Sequence, residues 1–63
     1  MNSRQAESQI EAAIEQLKAR GEHMYAALLE MQLFNSKGYL PDLRHALEYA
    51  KECLTQPMQS NKS

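Results

Sequence analysis

The chain has 63 residues, a formal net charge of −1 and a single cysteine. This length allows one domain with a small core, the lone cysteine excludes an intramolecular disulfide, and too few thiol and imidazole groups are present for a structural zinc site. Acidic and basic side chains are mixed along the chain, so there is no global charge signature of nucleic-acid or membrane binding. Because small domains often need a partner chain for stability, these limits favour an oligomer.

The first predicted element is one long helix over about residues 3–34. Its apolar residues, with Gly21 in phase among them, recur at alternating steps of four and three, the spacing of a heptad seam: Ile10, Ile14, Leu17, Gly21, Met24, Leu28 and Met31. The alternative is a helix that ends at Arg20, with Gly21 as its terminator. That ending would leave almost no loop, and no residue with a capping side chain precedes a new helix at Glu22. We therefore predict a continuous helix in which Gly21 lets a second backbone come close.

The segment NSKGYLPD then interrupts the helical pattern, and a second helix is predicted over about 41–55. Pro41 suits the first turn of this helix, and its apolar positions repeat the four–three spacing. An alternative interpretation places a short strand around 32–40. Residues 1–56 are expected to form a single helical dimerisation domain, with 57–63 as a flexible C-terminal tail.

These two helices predict an all-α helical hairpin that forms a homodimer. The first helix would be about 48 Å long and the second only about 21 Å, so the second would cover only the later half of the first. The early half carries a narrow apolar stripe, which suits a helix with one neighbour. A second copy of the chain would supply that neighbour in a four-helix arrangement, with the heptad seam at the dimer interface.

Catalytic and metal-binding patterns are weak. His45 and Glu48 share a helical face with Glu52, but di-iron bundles place a glutamate before the histidine and add further glutamates, whereas here the order is reversed and the pair occurs once per chain. Cys53 has no cationic cluster near it in the sequence, and a lone helical cysteine usually packs in a core. We expect no enzymatic activity, no catalytic residue, no metal and no cofactor.

Protein binding is the favoured class of function, because large apolar residues are more abundant than a small core requires. The candidates for a groove that takes a partner helix are Tyr25, Leu29, Leu33, Phe34, Tyr39 and Tyr49. The alternative is a nucleic-acid-binding regulator of transcription or of a later step, which would use Lys37, Arg44 and Lys51. Glu48 and Glu52 interleave with these cations and would weaken phosphate contacts.

The run MNSRQAESQIEAAIEQLKARGEHMYAALLEMQLFNSKGYLPDLRHAL, the polar end QSNKS and the chain length together resemble the very small early proteins of lambda-like temperate bacteriophages, encoded between the recombination and excision genes. The resemblance implies a protein of the host cytoplasm that promotes lytic development by binding a host or phage factor. It carries no diagnostic motif and so transfers no site residues. No apolar run approaches the roughly 20 residues that a bilayer requires, so no membrane partner is expected.

Overall fold

The computed structural model describes residues 1–55, which form three α-helices and no strand: α1 (Ser3–Ala19), α2 (His23–Ser36) and α3 (Leu40–Thr55). The all-α expectation is confirmed, and α3 matches the second predicted helix to within one residue. The predicted strand around 32–40 is wrong, because α2 occupies its first half and a turn and the start of α3 occupy the rest. The predicted tail at 57–63 lies outside the described residues.

The prediction of one continuous helix over 3–34 is also wrong, because the chain reverses at Gly21. Gly21 has φ +81°, the left-handed conformation that glycine adopts without a steric penalty. Its amide donates to the carbonyl of Lys18 at 3.0 Å, and the Glu22 amide donates to the carbonyl of Leu17 at 2.9 Å. These two bonds form a Schellman motif, which satisfies carbonyls at the end of α1.

A turn this tight needs no separate loop, because one residue serves both helices. Glu22 completes the end of α1 through its amide, and its carbonyl accepts the first bond of α2 from the Ala26 amide at 3.1 Å. No side chain caps the start of α2. The absence of room for a loop and of a capping residue favoured a continuous helix, but α2 begins without either because it packs against two neighbouring helices.

A capping box at Asn2, the residue before the first helical residue Ser3, fixes the start of α1. The Asn2 side chain accepts a bond from the Gln5 amide at 2.8 Å, and the Gln5 side chain accepts one from the Asn2 amide at 3.1 Å. These two bonds satisfy two backbone donors at the N-terminus of α1 that have no partner within the helix. It fixes the residue at which α1 begins.

The core lies along the axis of the bundle and draws on all three helices. α1 and α3 each bury one stripe at helical spacing, whereas α2 is apolar on most of its circumference and buries only part of it. The residues of the core are Ala6, Ile10, Ala13, Ile14, Leu17, Ala26, Leu29, Leu43, Ala46, Leu47, Ala50 and Cys53. Each helix therefore packs against both of the others without a second chain.

Two side-chain hydrogen bonds join elements that are far apart in the sequence, one near each end of the bundle. The Ser3 hydroxyl donates to the carbonyl of Gly38 at 3.0 Å, which ties the start of α1 to the turn between α2 and α3. At the other end, Arg20 Nη1 donates to the carbonyl of Leu54 at 3.1 Å, and Arg20 Nη2 lies 3.0 Å from Glu22 Oε2. A cation at the last turn of α3 also interacts favourably with the helix dipole.

Candidate protein-binding surfaces

The heptad seam that was predicted as a dimer interface divides into two parts at Gly21. Before it, Ile10, Ile14 and Leu17 are at most 4% exposed and lie in the core of the single chain. They are covered by the chain's own α2 and α3, so the argument that only a second copy could cover them does not hold. Gly21 itself lies just past the end of α1, in the turn that leads to α2, and not within a helix.

After Gly21 the same seam turns toward solvent. Met24 is 76% exposed, Leu28 41% and Met31 58%. The three residues are spaced by four and then three positions, so they form one stripe on the side of α2 opposite its buried residues. Phe34, 78% exposed, continues this stripe at the end of α2. We call these four residues the α2 outer face.

The six residues predicted to form a partner groove are not brought together. Leu29 is fully buried in the core, and Tyr39 is exposed in the turn between α2 and α3. Tyr25 and Tyr49 lie close enough to interact, on the side of α2 that meets α3. The remaining two, Leu33 and Phe34, line a groove on the other side of α2.

This second surface, which we call the α1–α2 groove, is an open depression of about 630 Å³. Its lining combines apolar side chains with three carboxylates: Ser8, Glu11, Ala12, Ile14, Glu15, Glu30, Leu33 and Phe34. The α1 side of it was missed from the sequence. The available signal was a pair of small residues and a pair of glutamates, each with the i, i+4 spacing that places both members on one helical face.

Cys53 and Tyr49 are hydrogen-bonded to each other on α3, with Cys53 buried in the core and Tyr49 partly buried against it. Burial raises the pKa of the Cys53 thiol, the hydrogen bond with Tyr49 opposes part of this shift, and the acidic neighbours Glu22 and Glu52 add to it. Burial also raises the pKa of Tyr49, and its hydrogen bond with Cys53 adds to this shift. A thiol held protonated in a core is a poor nucleophile, so this pair is a packing feature of α3.

The cations considered for nucleic-acid binding are all exposed. Arg44 and Lys51 lie seven residues apart on α3 and share its outer face, and Lys37 lies in the turn that precedes α3. Glu48 is also exposed and is within one turn of both α3 cations. The carboxylate therefore interrupts the positive patch, which reduces its attraction for phosphate.

Among residues 1–55, no group of three or more His, Cys, Asp or Glu side chains is placed to hold a metal ion. His45 and Glu48 instead lie beside Arg44 and Pro41 on the open surface of α3. No helix in this part of the chain has the length and apolar character needed to cross a bilayer.

Comparison with protein-family models, with curated proteins and with solved structures finds no match to the chain.

Proposed function

We propose that this chain is a non-enzymatic interaction protein that forms a homodimer through the α2 outer face. The single observation that supports the proposal is the apolar character of α2 on both its buried and its exposed sides. An exposed contiguous apolar patch on a small chain is typical of a protein–protein contact. A helix with two apolar faces is typical of one that packs against neighbours on both sides.

A second copy of the same chain suits this face because the stripe is compatible with itself. Met24, Leu28 and Met31 have the heptad spacing with which two helices pack side by side. Glu30 is the one aspartate, glutamate, lysine or arginine within α2, and it pairs with Lys18 of the same chain at 3.2 Å. Pairing two copies would therefore bury little unpaired charge.

The size of the face sets the expected strength of the dimer. Taking about 100 Å² for a fully exposed aliphatic side chain and about 200 Å² for an aromatic one, the exposed fractions give on the order of 350 Å² per chain. Two copies would bury roughly 700 Å² from these side chains, and flanking residues would add to this area. Interfaces that bury less than about 1,200 Å² belong to weak, transient contacts, so we expect a micromolar or weaker dimer rather than a permanent one.

Sedimentation velocity over a range of chain concentrations tests the dimer. The test variant is Met24→Lys/Met31→Lys, and its matched control is Gln9→Lys/Gln16→Lys, which adds the same charges at the same spacing on an exposed side of α1. We expect the wild type and the control to dimerise, and the test variant to remain a single chain with unchanged helical circular dichroism. A wild type with the mass of one chain up to sub-millimolar concentration would refute the proposal, as would a test variant that still dimerises.

The biological setting is proposed from the resemblance to small early phage proteins. In that setting the dimer acts in the host cytoplasm and promotes lytic development by binding a host or phage protein. Deleting the reading frame from such a phage and measuring the frequency of lysogeny tests this role. More lysogens than with the parent phage are expected, and restoring the Met24→Lys/Met31→Lys variant should fail to reverse the change. An unchanged frequency would contradict the proposed setting and leave the dimer test unaffected.

A further inference from the structure

The α1–α2 groove is open because small side chains face large ones across it. On α1, Ser8 and Ala12 leave space one helical turn apart, and on α2 the exposed ring of Phe34 forms the opposite wall. Ile14, nearly buried, and Leu33, half-buried, provide the apolar floor. The α1–α2 groove thus has an apolar floor between two helices.

The rim of the α1–α2 groove is acidic. Glu11 and Glu15 lie one turn apart on the α1 side, and Glu30 lies on the α2 side. Glu30 is neutralised in part by Lys18, but neither Glu11 nor Glu15 forms a salt bridge within residues 1–55. Among residues 1–55, no lysine or arginine lines the groove. An occupant of complementary charge would therefore place cations beside its apolar side chains.

The walls also determine the conformation of the occupant. Both are α-helices, whose interior backbone groups are already hydrogen-bonded, so there is no strand edge to which an extended peptide could add. An occupant must therefore bind through side-chain packing, which is how a short amphipathic helix binds in a groove. The α1 side spans about 11 Å from Ser8 to Glu15, which matches about two turns of a bound helix.

A second copy of the chain does not supply such a helix within its described residues. α2 has exposed apolar residues but contains neither lysine nor arginine, and the exposed face of α3 has cations beside acidic rather than apolar residues. We propose that the α1–α2 groove binds an amphipathic helix of a different protein, with basic residues flanking its apolar stripe. This deepens the proposed function by giving the chemistry of the partner, and it uses a surface that meets the α2 outer face only at Phe34.

Fluorescence anisotropy with a labelled helical peptide of leucine and lysine tests the proposal, and the same peptide with glutamate in place of each lysine is the charge control. We expect micromolar binding of the basic peptide, weaker at high salt, and no binding of the acidic one. Glu11→Gln/Glu15→Gln should weaken binding about tenfold. Glu48→Gln/Glu52→Gln, with the same spacing and charge change on the exposed face of α3, should leave it unchanged.

Two further variants separate the groove from the α2 outer face. Ala12→Leu fills the groove from an exposed position and should abolish binding, whereas Met24→Lys/Met31→Lys should keep it. Absence of binding to the wild type would overturn the proposal. It would also be overturned by equal losses in the two glutamine double variants, or by loss of binding only in the α2 outer-face variant. Sedimentation of the same samples reports the dimer independently, so failure of the groove and failure of the dimer give different results.

Discussion

Replacing Gly21 with alanine should lower the free energy of unfolding if the chain reverses at this residue and raise it if one helix continues through it. In the structure Gly21 has φ +81°, and within residues 1–55 no atom beyond Gly21 and its two chain neighbours lies within 4 Å of the position that a Cβ would take. The change therefore acts through the backbone rather than through a clash. A left-handed conformation costs an L-residue about 1–2 kcal/mol, and loss of glycine's freedom in the unfolded chain returns about 0.4–1 kcal/mol. We expect a net loss of roughly 1 kcal/mol in the free energy of unfolding.

In a continuous helix the same substitution would stabilise the protein by about 1 kcal/mol, because alanine is the better helix former. Urea unfolding followed by circular dichroism measures the sign, at one chain concentration for all variants because any dimer makes stability concentration-dependent. D-Alanine at position 21, introduced by chemical synthesis, is the matched control. It prefers positive φ and should be at least as stable as glycine. An L-alanine variant more stable than the wild type would refute the three-helix arrangement.

Three other substitutions test the packing described above. Leu17→Ala removes a fully buried side chain and should lower the free energy of unfolding by about 2–5 kcal/mol. Leu28→Ala, at a position 41% exposed, should lower it much less, as measured by urea unfolding at low chain concentration. Equal losses would contradict the placement of Leu17 in the core. Arg20→Ala removes the bond to the carbonyl of Leu54 and should speed amide hydrogen exchange in the last turn of α3 relative to α1; uniform exchange would contradict the role of this contact. Since burial raises the pKa of Cys53, iodoacetamide should modify the native thiol at least about tenfold more slowly than the urea-unfolded one, and equal rates would refute its burial.

The raised pKa values also predict how stability depends on pH. In the unfolded chain a cysteine thiol titrates near pH 8.5 and a tyrosine near pH 10, whereas Cys53 and Tyr49 hold their protons to higher pH in the folded chain. Between the unfolded and folded values the native state binds more protons, so stability falls as pH rises. This loss begins above about pH 8.5, and Cys53→Ala should reduce it in urea unfolding at alkaline pH.

The helical class and the position of α3 could be predicted because both depend on local patterns. Pro41 and the preceding glycine mark a break, and the spacing of apolar residues in α3 gives one buried face. The reversal at Gly21 could not be predicted this way. A heptad pattern continues in phase across a Schellman motif, so the spacing of Leu17 and Met24 is the same whether the chain goes straight on or turns back. Only the packing of α2 against α1 distinguishes the two.

The candidate surfaces were harder to predict for a related reason. The aromatic and methionine residues of α2 are too many for one apolar face, and several of them are exposed. Which of them point outward depends on the rotation of α2 about its own axis, and its nearly uniform apolar character does not specify that rotation. Leu29 therefore lies in the core and Phe34 on the surface, although both were predicted to line one groove.

Because the buried and exposed sides of α2 are separate sets of residues, folding and the chemistry of the exposed surface are under separate mutational control along most of this helix. Changes at Met24, Leu28 or Met31 alter what the chain presents to solvent while leaving the interior stripe through Ala26 and Leu29 as it is. Most substitutions at exposed positions of a helix cost little stability, so this surface can accumulate them at a small cost to the fold. A lineage carrying this bundle can therefore change the chemistry of this exposed face through successive substitutions at a few positions, each of which still gives a folded chain.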